Sequence, residues 1–208
     1  MTTTEKIVVL AKAIPAESSH GEITCVAGIA EDDTWRRLYP MPTDYLSKSY
    51  FMKYSKIVVE VDEWRGSHKR LEDRWLANYI KSLGRIENWE DRRKYLVQHL
   101  DRSVNQIISS QRTLGLIKPE IEDFYKDDAG HFRYKFRDSE NGRYDLACRE
   151  WEVTGLADKY PNQFDKVRWK FFDWMIEKRD VYFVIGTTAD NRTKMVVAIH
   201  YPPKQSSH

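Results

Sequence analysis

The chain has 208 residues, of which 41% are hydrophobic and 32% charged, and its formal net charge is +2. This length allows one well-packed core or two small ones. Its two cysteines, Cys25 and Cys148, show no CxxC or Cys/His spacing, which argues against a zinc module and against a disulfide-rich secreted scaffold. The start of the chain lacks a signal-peptide pattern, and no apolar run approaches the roughly 20 residues that cross a bilayer. We therefore expect a cytoplasmic, prokaryotic protein without a membrane partner.

The N-terminal part of the chain predicts a group of strands. Apolar runs rich in Val and Ile, separated by turn signals, indicate strands at residues 6–14, 21–30, 34–39 and 55–61. Between the third and fourth runs, Thr43 or Asp44 can cap a short helix that extends to Tyr54, because both side chains accept hydrogen bonds from first-turn amides.

The periodicity changes after residue 70. Trp75, Tyr79 and Leu83 are spaced by four, which predicts a helix that Gly84 ends. A second apolar stripe over residues 95–108 predicts another helix.

The middle of the chain is also its basic part. Residues 64–112 carry 11 basic and 6 acidic side chains, a net charge of +5, whereas residues 1–63 carry 7 and 10 and residues 113–208 carry 16 of each. A polyanion is therefore expected to bind on or near this segment.

The C-terminal part predicts two hairpins with a helix between them. After an extended linker at residues 114–119, residues 131–137 alternate aromatic with basic side chains and lead to an Asn-Gly turn, so the first hairpin has a basic outer face. Residues 164–178 place aromatic side chains on one side of a helical wheel. The second hairpin has strands over residues 180–186 and 195–201.

Strands at both ends with helices between them predict an α+β fold. We expect a single domain over residues 1–204, followed by a disordered tail at residues 205–208. The sheet is expected to be curved or barrel-like and mostly antiparallel, built from the N- and C-terminal strands, with the helices in the middle of the chain.

Aromatic and basic residues are interleaved in four stretches, at residues 35–39, 64–75, 131–137 and 168–172. Flat rings beside fixed positive charges stack on bases and hold phosphates. The sequence therefore predicts a nucleic-acid-binding protein, with DNA or RNA as its partner, that holds phosphates with a basic helical segment and stacks aromatic residues on bases. The predicted contact residues are Trp35, Arg36, Arg37, Trp64, Arg65, Lys69, Arg70, Arg92, Arg93, Arg133, Lys135 and Arg137.

Two other functions also fit the sequence. A metal-dependent nuclease or phosphodiesterase needs carboxylates that converge near a lysine, and Glu150 and Glu152, on one face of a predicted strand, are the catalytic candidates. A protein-interaction module would instead present its aromatic residues to a protein partner. The chain has neither a Walker sequence nor G-x-G-x-x-G, so we expect no cofactor.

Overall fold

The computed structural model describes residues 2–12, 16–18, 21–42, 51–65, 70–188 and 193–205. The N-terminal half forms a six-stranded sheet in the order β1-β5-β6-β4-β3-β2, in which β1 also pairs with β3. Its strands are β1 (Thr3–Lys12), β2 (Ala16–Ser18), β3 (Gly21–Ala30), β4 (Trp35–Pro42), β5 (Ser55–Glu63) and β6 (Asp73–Arg85). The helices α1 (Trp89–Gln98) and α2 (Val104–Ser109) follow.

The C-terminal half forms a second six-stranded sheet, in the order β7-β11-β12-β10-β9-β8. Its strands are β7 (Leu114–Ile117), β8 (Glu120–Lys126), β9 (Phe132–Arg137), β10 (Arg143–Cys148), β11 (Tyr182–Thr187) and β12 (Lys194–His200). Between β10 and β11 lie α3 (Trp151–Lys159), α4 (Phe164–Arg168), a π-helical segment (Trp169–Trp174) and α5 (Met175–Lys178).

The predicted single sheet, curved or barrel-like and shared by both termini, was wrong. The protein is mostly β, with 49% strand and 23% helix; it has two sheets, and the helices are not central. Each sheet is assembled from strands of one half of the chain. The apolar runs at the two ends look alike in sequence, so their composition does not tell which strands pair. Pairing within a half closes shorter loops and therefore costs less chain entropy.

The predicted helix at Trp75, Tyr79 and Leu83 was also wrong, because these residues lie on the strand β6, which pairs antiparallel with β5. A spacing of four matches one face of a helix, but four is also an even number and so matches one face of a strand. Residues 114–119, expected to be an extended linker, contain the fully buried strand β7 instead. In the described part of the basic segment, α1 and α2 are thus the helices.

Several local predictions were confirmed. β9 and β10 form the hairpin expected from the alternating pattern, with Tyr134 and Phe136 buried on its inner face. β11 and β12 form the C-terminal hairpin, and residues 164–178 are helical as expected, with a π-helical segment inside. The predicted cap at Thr43 or Asp44 lies outside the described residues, as does most of the predicted tail.

Three buried clusters hold the fold together. One lies within the N-terminal sheet, and another lies between the C-terminal sheet and its helices. The third joins the two sheets: Leu10 and Trp35 from the first pack with Leu116, Tyr182 and Ala198 from the second. Sites between the sheets are therefore built from both halves of the chain. In the part of the chain that the structure describes, no helix is long and apolar enough to cross a membrane.

Candidate functional site

A cavity of about 460 Å³ lies between the two sheets, and we call it the aromatic cavity. Its volume is within the range of small-molecule sites. Both halves of the chain line it: Ala11, Cys25, Ala27, Arg37, Tyr39, Trp64, Arg70 and Asp73 from the first half, and Leu114, Gly186, Thr187, Thr188, Met195 and Val197 from the second. The cavity contains three of the residues predicted from the sequence, namely Arg37, Trp64 and Arg70.

The strand β4 places two of the lining side chains by simple alternation. Trp35 is buried in the cluster between the sheets, and Arg37 and Tyr39, two and four positions later, line the cavity. Arg36 is on the opposite face, where its Nε donates to Glu5 at 2.6 Å. The predicted stacking residue Trp35 is thus a core residue, and its neighbour Tyr39 supplies the ring at the cavity.

Arg37 is fixed by a network that crosses from one sheet to the other. Its Nη1 donates to Asp73 at 2.8 Å and its Nη2 donates to the Thr113 hydroxyl at 3.0 Å. The Glu72 carboxylate accepts from the backbone N–H groups of Thr113, at 2.6 Å, and Leu114, at 3.2 Å. All these charged side chains are buried, and the network holds Arg37 and Asp73 in place where they line the cavity.

Arg70 is held less tightly than Arg37. Its Nη1 lies 3.9 Å from the Asp73 carboxylate, and its buried Nε has no hydrogen-bond partner among the described residues. Burial, followed by the neighbouring Arg37 charge, lowers the pKa of Arg70. An unpaired donor that is cut off from water is costly, so a ligand with an acceptor atom would be stabilised here.

Two rings line the aromatic side of the cavity, those of Tyr39 on β4 and of Trp64, which follows β5; Trp75 on β6 contacts Trp64 but does not line the cavity. The ring centroids of Tyr39 and Trp64 lie 5.3 Å apart, and those of Trp64 and Trp75 lie 5.9 Å apart. The indole Nε1–H of Trp64 is buried and has no acceptor within the described parts of the chain. The cavity thus offers flat apolar faces together with unpaired N–H donors, which is the combination that heteroaromatic ligands need.

Cys25 also lines the cavity, where it is half-buried. Burial raises the pKa of its thiol, against smaller opposite effects of Arg37 and Arg70. A thiol with a raised pKa is a poor nucleophile, so Cys25 contributes shape to the cavity.

Arg65 and Arg93, two other predicted basic residues of the first half, form ion pairs and do not line the cavity. Arg65, beside Trp64, is exposed and pairs with Asp62. Arg93 donates to Asp180 and to the Pro203 carbonyl. Lys69 lies outside the described residues.

Arg92, on α1, is buried and is therefore not the surface contact for phosphate that was predicted. Its guanidinium lies 4.7 Å from the ring centroids of both Tyr54 and Trp89, and its Nε donates to the Ile86 carbonyl at 2.7 Å. This burial could not be predicted from the sequence, because three consecutive basic residues in a helix are typical of a solvated face.

The outer face of the β9–β10 hairpin carries the predicted basic residues, but acidic residues accompany them. The Nε of Arg133 donates to Asp145 at 2.8 Å, and Arg137 pairs with Glu120 and Glu122 at 3.1 and 2.7 Å. Lys135 lies over the Tyr125 ring, 4.8 Å from its centroid. The face is therefore a mixed-charge surface, separate from the aromatic cavity.

Glu150 and Glu152 converge on a lysine, although not from a strand. Glu150 caps α3 by accepting from the N–H of Glu152 at 3.1 Å, and Lys53 Nζ donates to both carboxylates, at 2.7 and 3.0 Å. Burial alone would raise the pKa of Glu152, but the Lys53 charge and the Tyr201 hydrogen bond outweigh it and lower the pKa. The described residues hold no group of three or more side chains suited to a metal ion. A metal-dependent nuclease stays a prediction.

Sequence reasoning missed the partners of the predicted residues in the aromatic cavity. Tyr39, which shares a face of β4 with Arg37, was not among the predicted contact residues. Asp73, Thr187 and Thr188 carry no local signal, because they reach the cavity only when the two sheets pack together.

Comparisons with known families match the two halves of the chain separately. No curated protein matches the chain. Residues 128–208 match a family described as a domain of unknown function (DUF8757). The N-terminal sheet and α1, at residues 3–98, are similar to another family described as a domain of unknown function (DUF8758).

Proposed function

We propose that the protein binds nucleic acid and that the aromatic cavity receives one unpaired base. The observation that carries this proposal is the contact between the Tyr39 and Trp64 rings, beside N–H groups of Trp64 and Arg70 that have no acceptor among the described residues. Every base has a flat face that stacks on such rings and edge acceptors that suit such donors. The cavity lies between sheets rather than in a groove, so the base enters it only from a single strand or after extrusion from a duplex.

Phosphate contacts are assigned to the basic residues next to the cavity. The Arg65 side chain is 65% exposed and is adjacent to Trp64, and its pairing with Asp62 is a surface ion pair that contributes little stability. A phosphate can therefore compete for this guanidinium at low cost. Arg92 and Arg93 do not line the aromatic cavity, so the phosphate contacts proposed for this cavity do not include them.

The proposal is tested by fluorescence anisotropy with short single-stranded and duplex DNA and RNA, at about 50 mM and about 200 mM salt. We expect binding that is tighter for single strands and falls steeply with salt. In the Trp64→Ala variant the affinity should fall about 5- to 150-fold, because stacking on one ring contributes about 1–3 kcal/mol. The Arg65→Gln variant should weaken binding to all sequences alike and reduce the salt slope by about one.

Trp169→Ala is the matched control, because this tryptophan is 58% exposed and does not line the cavity. It should bind like the unsubstituted protein. Anisotropy that stays flat with every oligonucleotide would refute the proposal. Equal losses in Trp64→Ala and Trp169→Ala would refute the assignment to this cavity.

A further inference from the structure

A second cavity, which we call the cationic pocket, has a volume of about 270 Å³ and shares β12 with the aromatic cavity. Met195 and Val197 of this strand line the aromatic cavity, whereas Ile199 and His200 line the cationic pocket. The pocket is bordered by four basic and two acidic side chains: Lys12, Lys53, Arg85, Arg92, Glu150 and Glu152. It therefore carries a net charge of two positive units.

The two carboxylates do not neutralise the arginines. Glu150 and Glu152 both accept hydrogen bonds from Lys53, so their negative charges interact with this lysine and not with the arginines. Arg85 donates its Nε to the Lys53 carbonyl at 2.8 Å and forms no ion pair with any described residue. An arginine without a carboxylate, inside a pocket of positive charge, favours the binding of an anion.

Arg92 is oriented rather than neutralised. Tyr54 and Trp89 hold its guanidinium between their rings, and its nearest carboxylate, that of the exposed Glu87, is 4.0 Å away. Burial, together with the Arg85 charge, lowers the pKa of Arg92. Arg85 and Arg92 both line the pocket, and each guanidinium has the planar fork of N–H donors that recognises phosphate.

Tyr54 adds a neutral donor to the pocket. Its side chain is only 3% exposed, and its hydroxyl has no hydrogen-bond partner among the described residues. A buried hydroxyl without a partner is costly, and an anionic oxygen in the pocket would accept its hydrogen bond. The exposed rings of Trp89 and Trp151 stand at the edge of the same pocket.

We propose that the cationic pocket binds a phosphate monoester dianion, with the rest of the ligand lying over Trp89 and Trp151. The two positive charges match the dianion, and the volume is slightly below that of a site which encloses a whole drug-sized ligand. The phosphate belongs either to a free nucleotide or to the 5′ end of a nucleic-acid strand. The site is independent of the base-binding role of the aromatic cavity.

Isothermal titration calorimetry with adenosine 5′-monophosphate tests the proposal, with adenosine as the ligand that lacks the phosphate. The unsubstituted protein should bind the monophosphate more tightly than adenosine. Arg85→Gln should lower the affinity roughly 10- to 100-fold, as expected for a lost charge-assisted hydrogen bond. Lys81→Gln is the matched control, because Lys81 is exposed on β6 and does not line the pocket.

Tyr54→Phe keeps the test decisive if Arg85→Gln fails to fold. It removes a hydroxyl that has no partner among the described residues, so the melting temperature should not fall while monophosphate affinity drops several-fold. Equal binding of adenosine and its monophosphate, or full affinity in Tyr54→Phe and Arg85→Gln, would overturn the proposal.

The source of the phosphate is decided with one oligonucleotide carrying either a 5′-phosphate or a 5′-hydroxyl. A gain in affinity from the 5′-phosphate that Arg85→Gln abolishes identifies a strand end. Monophosphate binding without such a gain identifies a free nucleotide. Trp64→Ala should leave monophosphate binding intact, so failure of the base-binding proposal is distinguished from failure of this one.

Discussion

Replacement of Lys53 by methionine should destabilise the protein strongly, because it leaves the buried carboxylate of Glu150 and the partly exposed carboxylate of Glu152 without their counter-charge. Lys53 Nζ donates to Glu150 at 2.7 Å, to the Ile199 carbonyl at 2.9 Å and to Glu152 at 3.0 Å. Loss of one partner of a buried ion pair costs about 3–5 kcal/mol. Glu150 keeps the N–H groups of Ile199 and Glu152 as donors, at 2.6 and 3.1 Å, so we expect the lower end, about 3 kcal/mol.

Urea denaturation measures this loss of stability. The same loss should lower the melting temperature by roughly 6–12 °C for a chain of this size. Lys56→Met, at an exposed position on β5, is the control and should change stability by less than about 0.5 kcal/mol. A loss below about 1 kcal/mol in Lys53→Met would show that the carboxylates are not held by this lysine.

The stability lost in Lys53→Met should also depend on pH. Lys53 and Tyr201 lower the pKa of Glu152 below its ordinary value of 4.5, so the stabilisation from this carboxylate is full above that pH and is lost as the pH falls through the lowered pKa. The difference between the unsubstituted protein and Lys53→Met should therefore shrink below about pH 4.5. A difference that stays constant to pH 3 would contradict the ion-pair explanation.

Three further predictions concern single residues. Burial, together with the Lys53 charge, lowers the pKa of His200 well below 6.5, so the unfolded state takes up a proton before the folded state does as the pH falls. Urea titrations should therefore show that the free energy of unfolding decreases by about 1 kcal/mol between pH 6.5 and 5.5. The His200→Gln variant should lack this decrease. Gly28→Ala should cost more than about 2 kcal/mol, because its Cβ would lie 2.2 Å from the Val8 carbonyl oxygen, whereas Gly155→Ala, with nothing within 4 Å, should be neutral or stabilising in thermal melts. Glu72→Ala should lower the free energy of unfolding, measured with urea, by about 3 kcal/mol, because it leaves two buried N–H groups unpaired. It should also weaken oligonucleotide binding. Unchanged binding would show that this network does not support the aromatic cavity.

Predictions from the sequence succeeded where the signal was local. The alternation over residues 131–137 and the turn after it lie within one hairpin, so no distant partner was needed to identify it. They failed at β6, where the spacing of Trp75, Tyr79 and Leu83 fits a helix and a strand equally well and only pairing with β5 decides.

The site was predictable only in part, for the same reason. Composition drew attention to Arg37, Trp64 and Arg70, which do line one cavity. Composition also selected Arg92, which does not line that cavity. An arginine that stacks on two rings of its own protein has the same sequence pattern as one that stacks on a base. Which of the two occurs depends on how the sheets pack.

The seam between the two halves gives the protein a property that neither half has alone. Each half has its own set of strand pairs and its own buried cluster, and the link between them at the aromatic cavity runs from Glu72 and Arg37 to Thr113. The first half supplies the rings and the arginines, and the second supplies the opposite wall. Ligand binding here is therefore a readout of correct assembly: a chain with either sheet folded but undocked has no cavity, and a ligand that binds the joined form holds the two halves together.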